Sequence, residues 1–184
     1  MVNVLVPVAD GTEELEAVTI IDILRRAGAD VCIASVMTSK RITASRGVTL
    51  EAEVLIPSCV DTVWDLIALP GGMPGAEHLQ NCSTLQHLLG EQFSTGRFVA
   101  AICASPAVVL GRNGFLKGRR ATCYPSFQDE LQQYGAISSS EKIVVDENLV
   151  TSQGPGTALA FSLKLVELVF DKNVMKSVTS DAVA

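Results

Sequence analysis

Among the 184 residues, Cys103 stands where nucleophilic chemistry is easiest to place. It ends the apolar run FVAAIC at 98–103, and Ala104, Ser105 and Pro106 then turn the chain toward a helix. A strand-to-helix elbow of this kind exposes a nucleophile and aims a helix N-terminus at it. The dipole there favours a thiolate, so a lowered thiol pKa is expected. The alternative is a buried structural cysteine, the common fate of a free thiol and the one expected of mid-strand Cys32.

A carboxyl group offers itself as partner. On a helix opening near residue 12, Glu16 lies within about 40° of Ile20, Ile23 and Ala27 at roughly 100° per residue. It therefore projects from an apolar stripe, where burial disfavours the anion and raises the pKa. The alternative is an exposed glutamate on an irregular helix. Glu13 is accounted for by capping, and Glu14 is expected in solvent. A protonated Glu16 beside an ionised Cys103 would pair an acid with a nucleophile and move protons between them. Backbone donors come from LPGGMPG at 69–75, where Gly71 and Gly72 permit close approach of a ligand. The loop is not a dinucleotide fingerprint, because no G-x-G-x-x-G follows a strand.

The two histidines, His78 and His87, both precede the cysteine. A cysteine peptidase or amidotransferase of this topology needs a histidine beside or after its nucleophile, so that class is disfavoured. His78 and Cys82, four apart on an expected helix, are either metal ligands or a surface pair. Two ligands without further company favour the pair. SQGPGT at 152–157 offers N–H groups to an anion at a helix start, or is a plain turn with proline in the first helical position.

The elements needed to position these groups alternate along the chain. VNVLVPV at 2–8 is too continuously apolar for a sheet with one wet face and is expected as a central parallel strand. Asp10 and Glu13 resemble a capping box, and the helix from about Thr12 to Ala27 stops at Gly28. VCIASV at 31–36 completes a βαβ unit. Residues 42–56 alternate with period two and predict a small antiparallel excursion. A strand at 65–70, a helix at 76–93, the strand into Cys103 and a short helix at 105–114 follow. KGRRATCYP is expected as a strand entering a turn, SFQDELQQYG as a helix and KIVVDENLVTS as a hairpin turning at 146–148. A last long helix from Pro155 carries Leu159, Leu163, Val166 and Phe170 at core spacing. This rhythm predicts one domain over 1–184, an α/β flavodoxin-like, doubly wound and mostly parallel sheet sandwiched by helices.

Composition narrows the function classes. With 48% apolar residues, the chain can bury a full core without staples. A net charge of −6 makes nucleic acid an unfavoured partner. Five cysteines without a C-x-x-C pair are neither a disulfide framework nor a zinc site. No basic leader precedes the first strand, and the apolar stretch at 98–111 is too short to span a bilayer. A soluble protein of a reducing compartment, the cytoplasm, is expected.

Five ordered segments carry a family likeness: EELEAVTIIDILRRAG at 13–28, ASRG at 44–47, LPGGMPGAEHL at 69–79, AAICASPAVVL at 100–110 and TSQGPGTALAF at 151–161. Together they resemble the ThiJ/PfpI superfamily, specifically its parkinsonism-associated deglycase branch. The resemblance implies a homodimer formed partly through the first helix and no cofactor. It also implies glyoxalase or deglycase activity on methylglyoxal-type dicarbonyls and their early adducts. Cys103 matches the reactive cysteine, also the site of oxidation to sulfinic acid, and Glu16 the protonated carboxyl beside it. Gly72 and Ala104 match the backbone oxyanion donors. Arg26 and Arg46 match arginines near the dimer interface and an anion site, and Gly154, Pro155 and Gly156 the loop closing the pocket. The likeness also implies a second role, a redox sensor or redox-regulated chaperone switched by Cys103 oxidation. One departure stands out. Where many members have histidine in a T-x-H-P-like segment, this chain has Thr122, Cys123, Tyr124 and Pro125, and a phenol is a poor base at neutral pH.

Overall fold

The computed structural model describes residues 1–184. Seven strands form the central sheet: β1 (Asn3–Val8), β2 (Asp30–Ser35), β5 (Val54–Leu55), β6 (Leu66–Leu69), β7 (Phe98–Ile102), β10 (Ile143–Asp146) and β11 (Leu149–Ser152). Their order is β10-β11-β7-β6-β1-β2-β5, parallel throughout except for the β10–β11 hairpin at one edge. The chain steps from β1 outward to β2 and later returns to β6 on the other side. Ligand sites in open α/β sheets lie beyond the strand C-termini at such a reversal.

Burial on both faces explains the continuous apolar strands. In β1, Leu5 belongs to one buried cluster while Val4, Val6 and Val8 belong to the other. The first layer is built by α2 (Gly75–Asn81), α3 (Ser83–Thr95), a one-turn π-helix (Pro106–Gly111) and α4 (Gln128–Gln133). The second is built by α1 (Glu14–Arg26), α5 (Ala158–Val169) and α6 (Lys172–Asp181). No helix is long and apolar enough to cross a membrane.

The expected antiparallel excursion is the hairpin β3 (Arg41–Thr43) and β4 (Thr49–Glu51), with Arg46 in its turn. Other details differ from the sequence reading. The helix expected at 76–93 is two helices, because Cys82 adopts extended backbone (ψ 103°) between α2 and α3. His78 and Cys82 therefore do not share a face of one continuous helix. The strand near 120 lies outside the central sheet: β8 (Arg120–Ala121) pairs with β9 (Ile137–Ser138) in a separate parallel ribbon. In α5 the core contacts come from Phe161, Ser162, Leu165 and Val166, whereas Leu159 faces outward. Val166 is buried as expected, and Leu163 and Phe170 are partly buried against the same cluster. After α5, Asp171 caps α6 through bonds from the Asn173 and Val174 amides.

Candidate active site

Strand β7 delivers Cys103 with φ +66°, a left-handed conformation rare for a residue with a side chain. Such strain, of order 1–3 kcal/mol, persists where neighbours fix the backbone. Here the Cys103 amide donates to Ser152 O at 3.0 Å, and its carbonyl accepts from the Tyr124 amide at 2.8 Å. Two residues on, the buried Ser105 hydroxyl donates to Pro70 O at 2.6 Å, fastening the elbow to the glycine loop after β6.

That loop is shaped by its contacts. Gly72 has φ +89°, and a Cβ on it would lie 2.4 Å from both Glu13 N and Gly11 O. A Cβ on Gly71 would lie 2.6 Å from Cys103 Cβ and 3.0 Å from Glu16 Oε2. Both glycines are demanded by close approach. Gly72→Ala is expected to cost roughly 2–4 kcal/mol in denaturant unfolding; a loss under about 0.5 kcal/mol would show that the loop yields freely.

Glu16 is fully buried and Cys103 is 9% exposed. Glu16 Oε2 accepts from the Gly71 amide at 2.7 Å, while the buried Oε1 has no hydrogen-bond partner. The carboxyl and the Cys103 thiol are near enough to shift each other's ionisation. Burial pushes the Glu16 pKa up to about 7, with the Glu13 charge adding to it and the Gly71 and Cys103 hydrogen bonds opposing it. The neighbouring backbone N–H groups of Gly72 and Ala104 favour the anionic form of the Cys103 thiol.

The thiol departs from expectation. Burial pushes it up to about 12, and the Glu16 charge adds to that against the two amides. Helix polarity does not dominate, because the first turn begins only at Pro106 and the sulfur is enclosed. Both groups resist ionisation for the same reason, so they hold at most one negative charge between them near neutrality.

Above the sulfur lies a cavity of about 380 Å³, lined in part by Glu13, Arg46, Gly72, Ala104, Tyr124 and Pro155. A larger cleft of about 770 Å³ beside Arg112 and Tyr134 contains no cysteine. The structure thus brings together Cys103, Glu16, Gly72, Ala104, Arg46, Tyr124 and Pro155. Gly154 supports the wall from behind, since a Cβ there would lie 3.1 Å from the Tyr124 ring. Gly156 is exposed and has open space around it. Arg26 is not brought to this cavity; it pairs with Asp22 at 2.7 Å on the outer surface of α1.

Glu13 caps the first helix as expected, whereas Asp10 and Glu14 correct the sequence reading. The cap of α1 is Glu13, whose Oε2 accepts from the Glu16 amide at 2.8 Å, while Asp10 instead accepts from the Thr43 amide. Glu14, expected in solvent, is largely buried. Its carboxylate accepts from Ser45 Oγ at 2.9 Å and from the Arg46 amide at 2.8 Å. These bonds outweigh its desolvation and hold its pKa below the ordinary value. Glu14 therefore positions the turn that carries Arg46 to the cavity. The consecutive glutamates following the strand were the available signal, but the partner lay about thirty residues away.

A flavodoxin-like sandwich with a cysteine on a strained elbow and a buried carboxyl against its sulfur defines a class of α/β proteins with a cysteine-centred site. The sequence profile of the DJ-1/PfpI family matches residues 2–168, and the chain belongs to that family, within its DJ-1 branch. Protein DJ-1 homolog A of Arabidopsis thaliana is 46% identical over 97% of this chain, which spans only 45% of that relative's length. The Caenorhabditis elegans protein named glutathione-independent glyoxalase DJR-1.2 is 32% identical over 89% of this chain and 86% of its own. The structure of oxidised Toxoplasma gondii DJ-1 superposes with a TM-score of 0.95 at 43% identity, covering 100% of this chain and 98% of that one.

Proposed function

We propose that the protein is a cofactor-independent glyoxalase and deglycase acting on methylglyoxal-type dicarbonyls and their early protein or nucleotide adducts. The observation that carries this reading is the arrangement at Cys103. Its sulfur lies against a carboxyl whose pKa is about 7 and against two backbone donors, beneath a cavity roomy enough for a three-carbon dicarbonyl. The glyoxalase name of the nematode relative supports the same reaction class.

The working form is the minor tautomer of the singly charged pair, in which Glu16 keeps the proton and Cys103 carries the charge that otherwise rests on the carboxylate. In that form the carboxylate repulsion is gone and an O–H donor faces the sulfur. The thiolate attacks the aldehyde carbon, and the new alkoxide lies toward the Gly72 and Ala104 amides. Glu16 gives its proton to that oxygen, then as carboxylate takes the proton from the same carbon to leave an enediolate, and returns it to the adjacent carbon while the hydroxyl proton passes from the first oxygen to the second. The product is a lactoyl thioester, which water hydrolyses to lactate and free Cys103. Tyr124 bounds the cavity and donates hydrogen bonds but does not serve as base. The test is lactate production from methylglyoxal by purified protein without glutathione and with a chelator present. Absence of lactate would overturn the reading.

A second role rests on the same sulfur. A thiolate facing two amides and a carboxylic O–H is suited to stopping at the sulfinate, whose oxygens those donors would hold. The similar Toxoplasma structure is described as oxidised. Mild peroxide is expected to add two oxygens at Cys103 without over-oxidising the other four cysteines; peptide mapping that finds sulfinate elsewhere first removes this role. We also propose a homodimer through α1, because Leu15 and Val18 on its outer face are 51% and 48% exposed. A monomeric mass in sedimentation at micromolar concentration would count against it.

A further inference from the structure

The cavity above Cys103 has two unlike sectors. Glu13, at the start of α1, and the Ser45–Arg46 turn that Glu14 holds make a polar one. Tyr124, Phe127 and Pro155 make an apolar one, to which Met73 adds a side chain from the loop after Gly72.

The apolar sector is firmly held. Pro125–Phe127 form a 3-10 turn after Tyr124, closed by the Phe127 amide donating to Tyr124 O at 2.9 Å. One turn of such a helix separates Tyr124 from Phe127, and both rings line the cavity. The Tyr124 amide ties the turn to Cys103 O at 2.8 Å. Against the Tyr124 ring lies Gly154, where a Cβ would stand 3.1 Å from Cδ2, so backbone supports the ring. Phe127 also packs on the buried cluster shared with α2 and α3. Yet Tyr124 and Met73 remain 43% and 39% exposed. Exposed apolar side chains gathered round one concavity, beside a reactive sulfur, mark a place for an apolar ligand group.

We propose that this sector selects α-oxoaldehydes whose ketone carbon bears an aromatic or branched apolar group, with Tyr124 and Phe127 as the specificity-determining residues. The proposal rests on the glyoxalase reading and narrows its substrate class. At about 380 Å³ the cavity falls in the roughly 300–1,000 Å³ range of pockets that enclose drug-sized ligands. A three-carbon dicarbonyl leaves most of that space to water. A phenyl or isopropyl group displaces the water and covers apolar surface on both partners. A phenyl ring gains further from edge or offset contact with the two aromatic side chains. The reacting end is unchanged. The aldehyde carbon bonds to sulfur and leaves as carboxylate, the ketone carbon becomes the alcohol, and one water is consumed. Oxidation of one carbon balances reduction of the other. Because the substituent is held alike before and during reaction, the gain falls on KM rather than kcat.

The test is the rate of 2-hydroxy acid formation from methylglyoxal, isopropylglyoxal and phenylglyoxal by the wild type, Tyr124→Phe, Tyr124→Ala and Phe127→Ala. In the wild type, KM for phenylglyoxal is expected at least about tenfold below that for methylglyoxal, with isopropylglyoxal between them. Tyr124→Phe should keep that ratio, since the ring rather than the hydroxyl makes the contact. Each alanine variant should shrink it by about threefold or more. Comparing ratios cancels the intrinsic reactivity of each aldehyde and any general loss of activity, which a merely structural role would cause. Equal KM values for the three aldehydes, or a ratio unmoved in both alanine variants, would overturn the proposal while continued lactate formation leaves the glyoxalase reading standing. No hydroxy acid from any of the three would overturn both. The wild-type series decides the matter if an alanine variant does not fold.

Discussion

Cys103→Ala is expected to reduce lactate formation from methylglyoxal by at least about a thousandfold, since it removes the atom that forms the covalent bond. Its fold should survive. The elbow is held by backbone bonds to Ser152 and Tyr124 and by the Ser105 hydroxyl, none of which needs the sulfur. Alanine also fits the space that cysteine occupied and bears the left-handed conformation at similar cost. Cys103→Ser should be nearly as inactive, because a buried hydroxyl ionises far less readily than a thiol. Turnover in Cys103→Ala within tenfold of wild type, measured with a folded and monodisperse sample, would exclude covalent catalysis at this position.

Glu16→Gln is expected to affect both activity and stability. It removes the proton carrier while keeping size and shape, so the rate should fall by roughly 10²–10⁴. The stability effect has a definite pH dependence. In the unfolded chain Glu16 ionises at about 4.3, but in the folded protein burial holds it protonated to about 7. Between those values the folded state binds the extra proton, so stability falls as pH rises through this window. Below it the group costs nothing, and above it the fold carries the full burden of a buried charge, about 4 kcal/mol. Glu16→Gln lacks that titration. Relative to wild type it should gain about 3 kcal/mol between pH 4.5 and pH 8 in denaturant unfolding. The charges facing Glu16 are Glu13, which adds to the burden, and Cys103, which shares its proton. A constant difference across that range would mean that Glu16 ionises like an exposed carboxyl.

Much of this was legible in the residues. Continuous apolar runs revealed the parallel strands because both sheet faces are covered, and the run ending at Cys103 located the elbow. The helical angle of Glu16 revealed its burial because α1 turns one stripe onto the sheet. What escaped depended on contacts distant in sequence. Glu14 looked solvated because its partners, Ser45 and the Arg46 amide, belong to a hairpin formed much later in the chain. The Cys103 pKa was misjudged because local helix polarity can be read from sequence, whereas enclosure by the Gly71 loop and a carboxyl cannot. The break at Cys82 had no glycine or proline to announce it. In α5 only Leu159 escaped, since Val166, Leu163 and Phe170 pack on the core as their spacing implied.

The central claim, that Cys103 bonds to the substrate and Glu16 moves its proton, is tested most directly by acid-quenching the wild-type and Glu16→Gln proteins during reaction with methylglyoxal and mapping their peptides at low pH. The expected result is a lactoyl group on the wild-type Cys103 peptide, released by neutral hydroxylamine, lost from Glu16→Gln because the proton transfer that makes it is stalled, and absent from that position in Cys103→Ala. Lactate production by the wild type with no substrate on Cys103 in either form, or with it on another cysteine, would contradict the account.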